Sequence, residues 1–72
     1  MLRELPQLVL QYLYDRRGKR IPISELETHL GKDIHTLRPA IEDLKVNGFI
    51  NEEEYRVEIL AAGQHFAQSR WV

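Results

Sequence analysis

Apolar residues recur along this chain with two different periods, and the switches between them divide it into elements. Leu5, Leu8, Val9, Tyr12 and Leu13 follow the i, i+3, i+4, i+7, i+8 spacing of one helical face. That helix is expected to end near Arg17-Gly18, where glycine closes a C-terminus without steric cost. Asp15 to Arg20 reads as a turn, and Ile21-Pro22-Ile23 as a short extended piece in which proline suits an edge strand. Ser24-Glu25-Leu26-Glu27 has the form of a capping box, predicting a short helix from Ser24 to about Leu30 with Gly31 as its stop. Asp33 is the next N-cap, followed by Ile34, Leu37, Ala40, Ile41 and Leu44 as one stripe at helical spacing. Asn47-Gly48 closes that third helix, with Gly48 expected at positive φ so that Phe49 and Ile50 turn back to the core. The period then drops to two. Phe49 and Ile50 open a strand, Glu52-Glu53-Glu54 reads as a tight turn, and Tyr55, Val57 and Ile59 alternate with Arg56 and Glu58. From Leu60 to Trp71 the spacing is helical again, with a weak interior at Gly63.

The order is helix, short strand, helix, turn, helix, strand, turn, strand, helix, an α+β arrangement. It resembles a winged helix-turn-helix domain: a three-helix core, a short β-hairpin wing and a C-terminal helix. Leu30 to Ile50 carries the likeness. The segment is similar to the turn and recognition helix of bacterial transcriptional regulators of the MarR, GntR and PadR families. In these a leucine-glycine turn leads into a helix ending in a leucine, a glycine and two apolar residues. Thr36-Leu37-Arg38-Pro39-Ala40-Ile41 is most similar to the PadR pattern, which also has a proline inside this helix, and Tyr55 to Phe66 resembles the second wing strand and the helix after it. The resemblance covers nearly the whole chain. It implies a small DNA-binding transcription regulator whose helix over residues 33–47 enters the major groove of duplex DNA.

On that helix the face opposite the apolar stripe carries His35, Pro39, Glu42 and Val46, flanked by Thr36, Arg38 and Asp43. Arg38 has the forked donor geometry for guanine, His35 and Thr36 lie in the first turn, and Lys32 and Lys45 are placed for phosphates. Arg16, Arg17, Lys19 and Arg20 form the one dense basic cluster, suited to phosphate contact. Charge balance complicates the picture. The whole chain carries a net charge of -1, and Lys32 to Asn47 holds as many acidic as basic residues. Wings that enter DNA present Lys or Arg, whereas this one presents Glu52-Glu53-Glu54. The alternative is therefore a winged-helix module that binds a protein partner through an acidic wing or the Pro39/Val46 face.

The 72 residues make one domain with a thin core. Cysteine is absent, which removes disulfides and thiol nucleophiles, and His29, His35 and His65 have no metal-ligand spacing. Ser24 is accounted for by capping and His29 by a half-buried helix position; neither an enzyme nor a cofactor is expected. The longest apolar run, Ile59 to Ala62, is too short for a membrane span or a leader, so a cytoplasmic protein is expected. A homodimer is expected as well. Pro6, Leu10 and Tyr14 form a second apolar strip on the first helix, and the last helix doubles likewise, with Leu60, Ala67 and Trp71 on one line and Ala62 and Phe66 on another. A domain this small is not expected to bury both strips of both helices within itself.

Overall fold

The computed structural model describes residues 3–71. The order of elements is α1 (Glu4–Asp15), β1 (Ile21–Pro22), α2 (Ile23–Leu30), α3 (Ile34–Val46), β2 (Ile50–Glu53), β3 (Arg56–Ile59) and α4 (Ala61–Trp71). The fold is thus α+β, four helices with a three-stranded antiparallel sheet in the order β1-β3-β2. Ile21 lies opposite Val57 and Pro22 opposite Arg56, while Ile50 to Glu53 run against Ile59 to Arg56. Pro22 sits on an edge strand, where a residue without an N–H breaks no ladder.

The core joins one face of every helix to the inner face of the sheet. Val9, Leu10 and Leu13 from α1, Leu26 from α2, and Leu37, Ile41 and Leu44 from α3 close around Ile50, Val57 and Ile59. On α4, Ala67 is fully buried and Phe66 packs on Phe49 with ring centroids 4.7 Å apart.

The second strip on α1 is not an outward one. Pro6 and Leu10 are buried within the single chain, and Tyr14 is half-buried against the core. The reason is that α1 is embraced from several sides, touching α3, α4 and β3, so its two strips face different neighbours of the same chain. Leu8, expected inside, is the large apolar residue of α1 left exposed. Leu10 is therefore enclosed within the chain, and Pro6 is largely covered by it. The side chain of Trp71 lies outside the described residues.

Local chemistry sets the boundaries. α1 stops at Asp15, before Arg17-Gly18. The α3 N-cap is Asp33, whose carboxylate accepts from the Thr36 N–H at 2.9 Å and is held below the ordinary carboxylate range by that bond. Gly31 and Gly48 end α2 and α3 with φ of 66° and 73°, and the Phe49 N–H then donates to the Leu44 carbonyl at 3.0 Å, turning the chain inward. Pro39 lies inside α3, which runs through it without a break.

Two expectations fail for identifiable reasons. The capping box is not made: α2 starts at Ile23 with Pro22 at its cap and no side-chain cap bond. The Ile23 N–H instead donates to the Tyr55 carbonyl at 2.9 Å, so the hairpin satisfies the first orphan donor of α2. The second failure is the hairpin turn. Glu52 and Glu53 are paired strand residues, and the turn is Glu54-Tyr55, with φ of 53° and 61°. Both central residues are thus left-handed, as two-residue hairpins favour, although neither is glycine or asparagine. Tyr55, expected to begin an inward alternation, is 71% exposed at the tip.

Candidate functional site

The outward side of α3 and the adjacent strand β2 share a network of four charges. Arg38 and Lys45 lie two helical turns apart on α3, with Glu42 between them, so all three reach the same side. The pairing of β2 with β3 brings Glu52 over that side. The Arg38 guanidinium donates to both Glu52 carboxylate oxygens, at 2.6 and 3.2 Å, and to Glu42 at 3.1 Å. The Lys45 ammonium donates to Glu42 and to Glu52, each at 3.1 Å. The Glu52 side chain is only 11% exposed, so the network is closed from water on its β2 side.

The electrostatics follow. The Arg38 bonds, reinforced by Lys45, hold the Glu52 carboxyl below its usual range against the opposing effect of its burial. Glu42 is likewise lowered, by Lys45 first and then by Arg38. Arg38 is raised mainly by Glu52, and Lys45 mainly by Glu42 with Glu52 second. All four groups are therefore ionised at neutral pH, and the two cations of α3 are matched by two carboxylates.

The other residues singled out for DNA are scattered around this network. His35 and Thr36 are exposed in the first turn of α3, and Lys32 is exposed in the turn before it. In the basic cluster, Arg16 lies 3.8 Å from Glu25 with its guanidinium over the Tyr12 ring. Arg17 sits over the Tyr14 ring and donates to the Tyr14 carbonyl. Arg20 pairs with Glu53 at 3.1 Å and lies 3.8 Å from Glu58. Of the nine cations and polar groups assigned to DNA, Arg16, Arg20, Arg38 and Lys45 are paired with carboxylates of the same chain. Among the described residues, Lys19 and Lys32 enter no ion pair.

Two features were not anticipated. Tyr12 donates to Glu25 at 2.5 Å, which raises the phenol above its ordinary value, and the His29 ring lies 4.2 Å from the Tyr12 ring. This join between α1 and α2 leaves His29 exposed rather than half-buried. The second feature is a cleft beside the hairpin tip. Pro22, Ile23, Ile34 and Tyr55 supply its apolar walls, and Glu27, Glu54 and Arg56 stand at its rim. A separate, larger groove runs between the start of α1 and α3, with Leu5, Pro6, Pro39, Ala40 and the 85% exposed Val46 along it.

The described residues hold no group of three side chains able to bind a metal ion, and none of their helices is long and apolar enough to cross a membrane. No family model, no curated protein and no solved structure matches the chain.

Proposed function

We propose that this chain is a winged-helix module that docks a protein through the tip of its hairpin, in preference to reading duplex DNA. The element order, with α2 and α3 joined at Gly31 and the β2–β3 hairpin following, supports the winged-helix reading. The observation that carries the function is Tyr55. A tyrosine that is 71% exposed holds a left-handed backbone at the end of an acidic hairpin, next to Glu54 in the same conformation. Such a conformation costs about 1 kcal/mol or more per non-glycine residue, and glycine would avoid it. Strain kept at an exposed aromatic points to use, and tyrosine is among the side chains that most often anchor protein interfaces.

The surroundings define the partner. Glu27 and Glu54 lie around the tip and its cleft, with Arg56 opposing them. The fitting ligand is a segment carrying an aliphatic side chain flanked by lysine or arginine. Duplex DNA is the second reading, favoured by the placement of Lys32, His35 and Thr36 at the start of α3, the end at which such helices meet base edges.

Amide NMR with two synthetic probes tests the choice. A short lysine-leucine peptide should shift Ile34 and Glu53 to Arg56, and Tyr55→Ala should abolish that shift. A glutamate-leucine peptide should leave them in place. Equal response to both peptides, or to neither, would sink the docking reading.

A further inference from the structure

We propose that Glu52 is the specificity-determining residue that keeps this winged-helix face from nucleic acid, by filling the place of a phosphate on Arg38 and Lys45. The inference rests on the winged-helix reading above. Its ground is geometric. A forked contact from two N–H groups is how a guanidinium holds two oxygens of a phosphate, or the O6 and N7 of guanine. Here both oxygens of Glu52 take that contact, and one of them also takes the Lys45 ammonium. Glu42, from α3 itself, accepts from both cations but on a single oxygen.

Position separates Glu52 from the other hairpin carboxylates. Glu53 is spent on Arg20, and Glu54 stands at the turn. Glu52 alone comes from β2 onto α3, and at 11% exposure its side chain is the one that a solvent anion or a DNA phosphate would have to displace. The strand pairing that opposes Glu52 to the fully buried Val57 puts its side chain on the sheet face turned to α3, within reach of Arg38 and Lys45. The α3 cations are thus present in the sequence and withheld in the fold.

The test is fluorescence anisotropy on a random-sequence duplex in low salt, with Glu52→Gln against Glu54→Gln. The second variant removes the same charge from the same hairpin without releasing a cation. Glu52→Gln should bind at least about tenfold more tightly than wild type, and its log–log salt slope should steepen by about 1, the counterion of a freed Arg38 at roughly 0.9, because Glu42 still holds Lys45. Glu54→Gln should change neither beyond the effect of one charge. Adding Arg38→Gln to Glu52→Gln should remove the gain. Equal behaviour of the two single variants would overturn the proposal.

Glu52→Met provides a second form of the test, since it keeps the buried stem and also takes the forked carboxylate away from Arg38. If neither variant folds, wild type still decides. Duplex that shifts the Arg38 side-chain N–H at low salt would show that Glu52 withholds nothing; an unmoved resonance is the expected result. These outcomes are separable from failure of the docking reading, which is read from the lysine-leucine peptide and not from DNA.

Discussion

Gly63 is a position at which a single added methyl has a large expected effect on the fold. It lies in the first turn of α4, where alanine is intrinsically better by about 1 kcal/mol. A Cβ there would stand 2.3 Å from the Phe49 carbonyl oxygen and 2.8 Å from a side-chain carbon of Ile59. Normal carbon contacts lie near 3.5–4.0 Å, so α4 must retreat by about 1 Å. The retreat meets resistance. The Phe49 carbonyl already accepts from the Leu60 N–H at 2.8 Å, and both the Phe49–Phe66 contact and the burial of Ala67 depend on the same approach. Overpacking typically costs about 1–3 kcal/mol, and a weakened hydrogen bond adds about 1 kcal/mol. After the helix-propensity gain, Gly63→Ala should destabilise by roughly 1–3 kcal/mol. For a domain of this size that is a fall in Tm of about 5–20 °C. Thermal unfolding followed by circular dichroism measures it. The exposed neighbour serves as the control: Ala62→Gly should lose only about 1 kcal/mol of propensity. A Tm for Gly63→Ala equal to or above wild type would refute the close approach of α4 to Phe49.

Replacing Glu54-Tyr55 by Asn-Gly, the pair that two-residue hairpins prefer, should stabilise the isolated domain by about 1–2 kcal/mol in urea unfolding while ending its response to the lysine-leucine peptide. Leu10→Ala should cost about 2–5 kcal/mol through a core cavity, with no change in sedimentation; a shift in association with little loss of stability would restore the outward strip. Because the folded pKa of Glu52 is depressed, the unfolded chain binds more protons in acid. Its stabilising contribution is complete above the ordinary carboxylate range and is lost as pH falls through the lowered folded value. Glu52→Gln should flatten that part of the stability–pH curve, and an unchanged slope would argue against the Arg38 pairing.

The elements that local chemistry specifies were legible. Asp33, Gly31 and Gly48 announce α3 by residue type, because a carboxylate cap and a left-handed stop act within a few residues of themselves. What the chain decides at a distance was not legible. The Ser24 capping box is a sound local pattern, yet the Tyr55 carbonyl, far along the sequence, satisfies the Ile23 N–H and moves the start of α2. Three consecutive glutamates look like a turn, whereas the buried positions Val57 and Ile59 fix the register and draw Glu52 and Glu53 into the ladder. Leu10 and Tyr14 read as surplus because amphipathicity is counted against one neighbour, and α1 packs against several. The site suffers most from this limit. Arg38, Lys32, His35, Thr36 and Lys45 lie where the helical wheel puts them, but the bond from Arg38 to Glu52 crosses the α3–β2 turn and leaves no periodic trace. Only the count of like and unlike charges hinted that these cations were balanced.

The central claim is that the α3 cations are committed within the chain. Its most direct measurement is amide and arginine side-chain NMR of the wild-type protein titrated with random-sequence duplex at low salt. The account predicts that α3 and the Arg38 side chain stay in place, with any small shifts confined to residues near Lys19 and Lys32. Shifts centred on His35, Thr36, Arg38 and Lys45 that fade as salt is raised would contradict it.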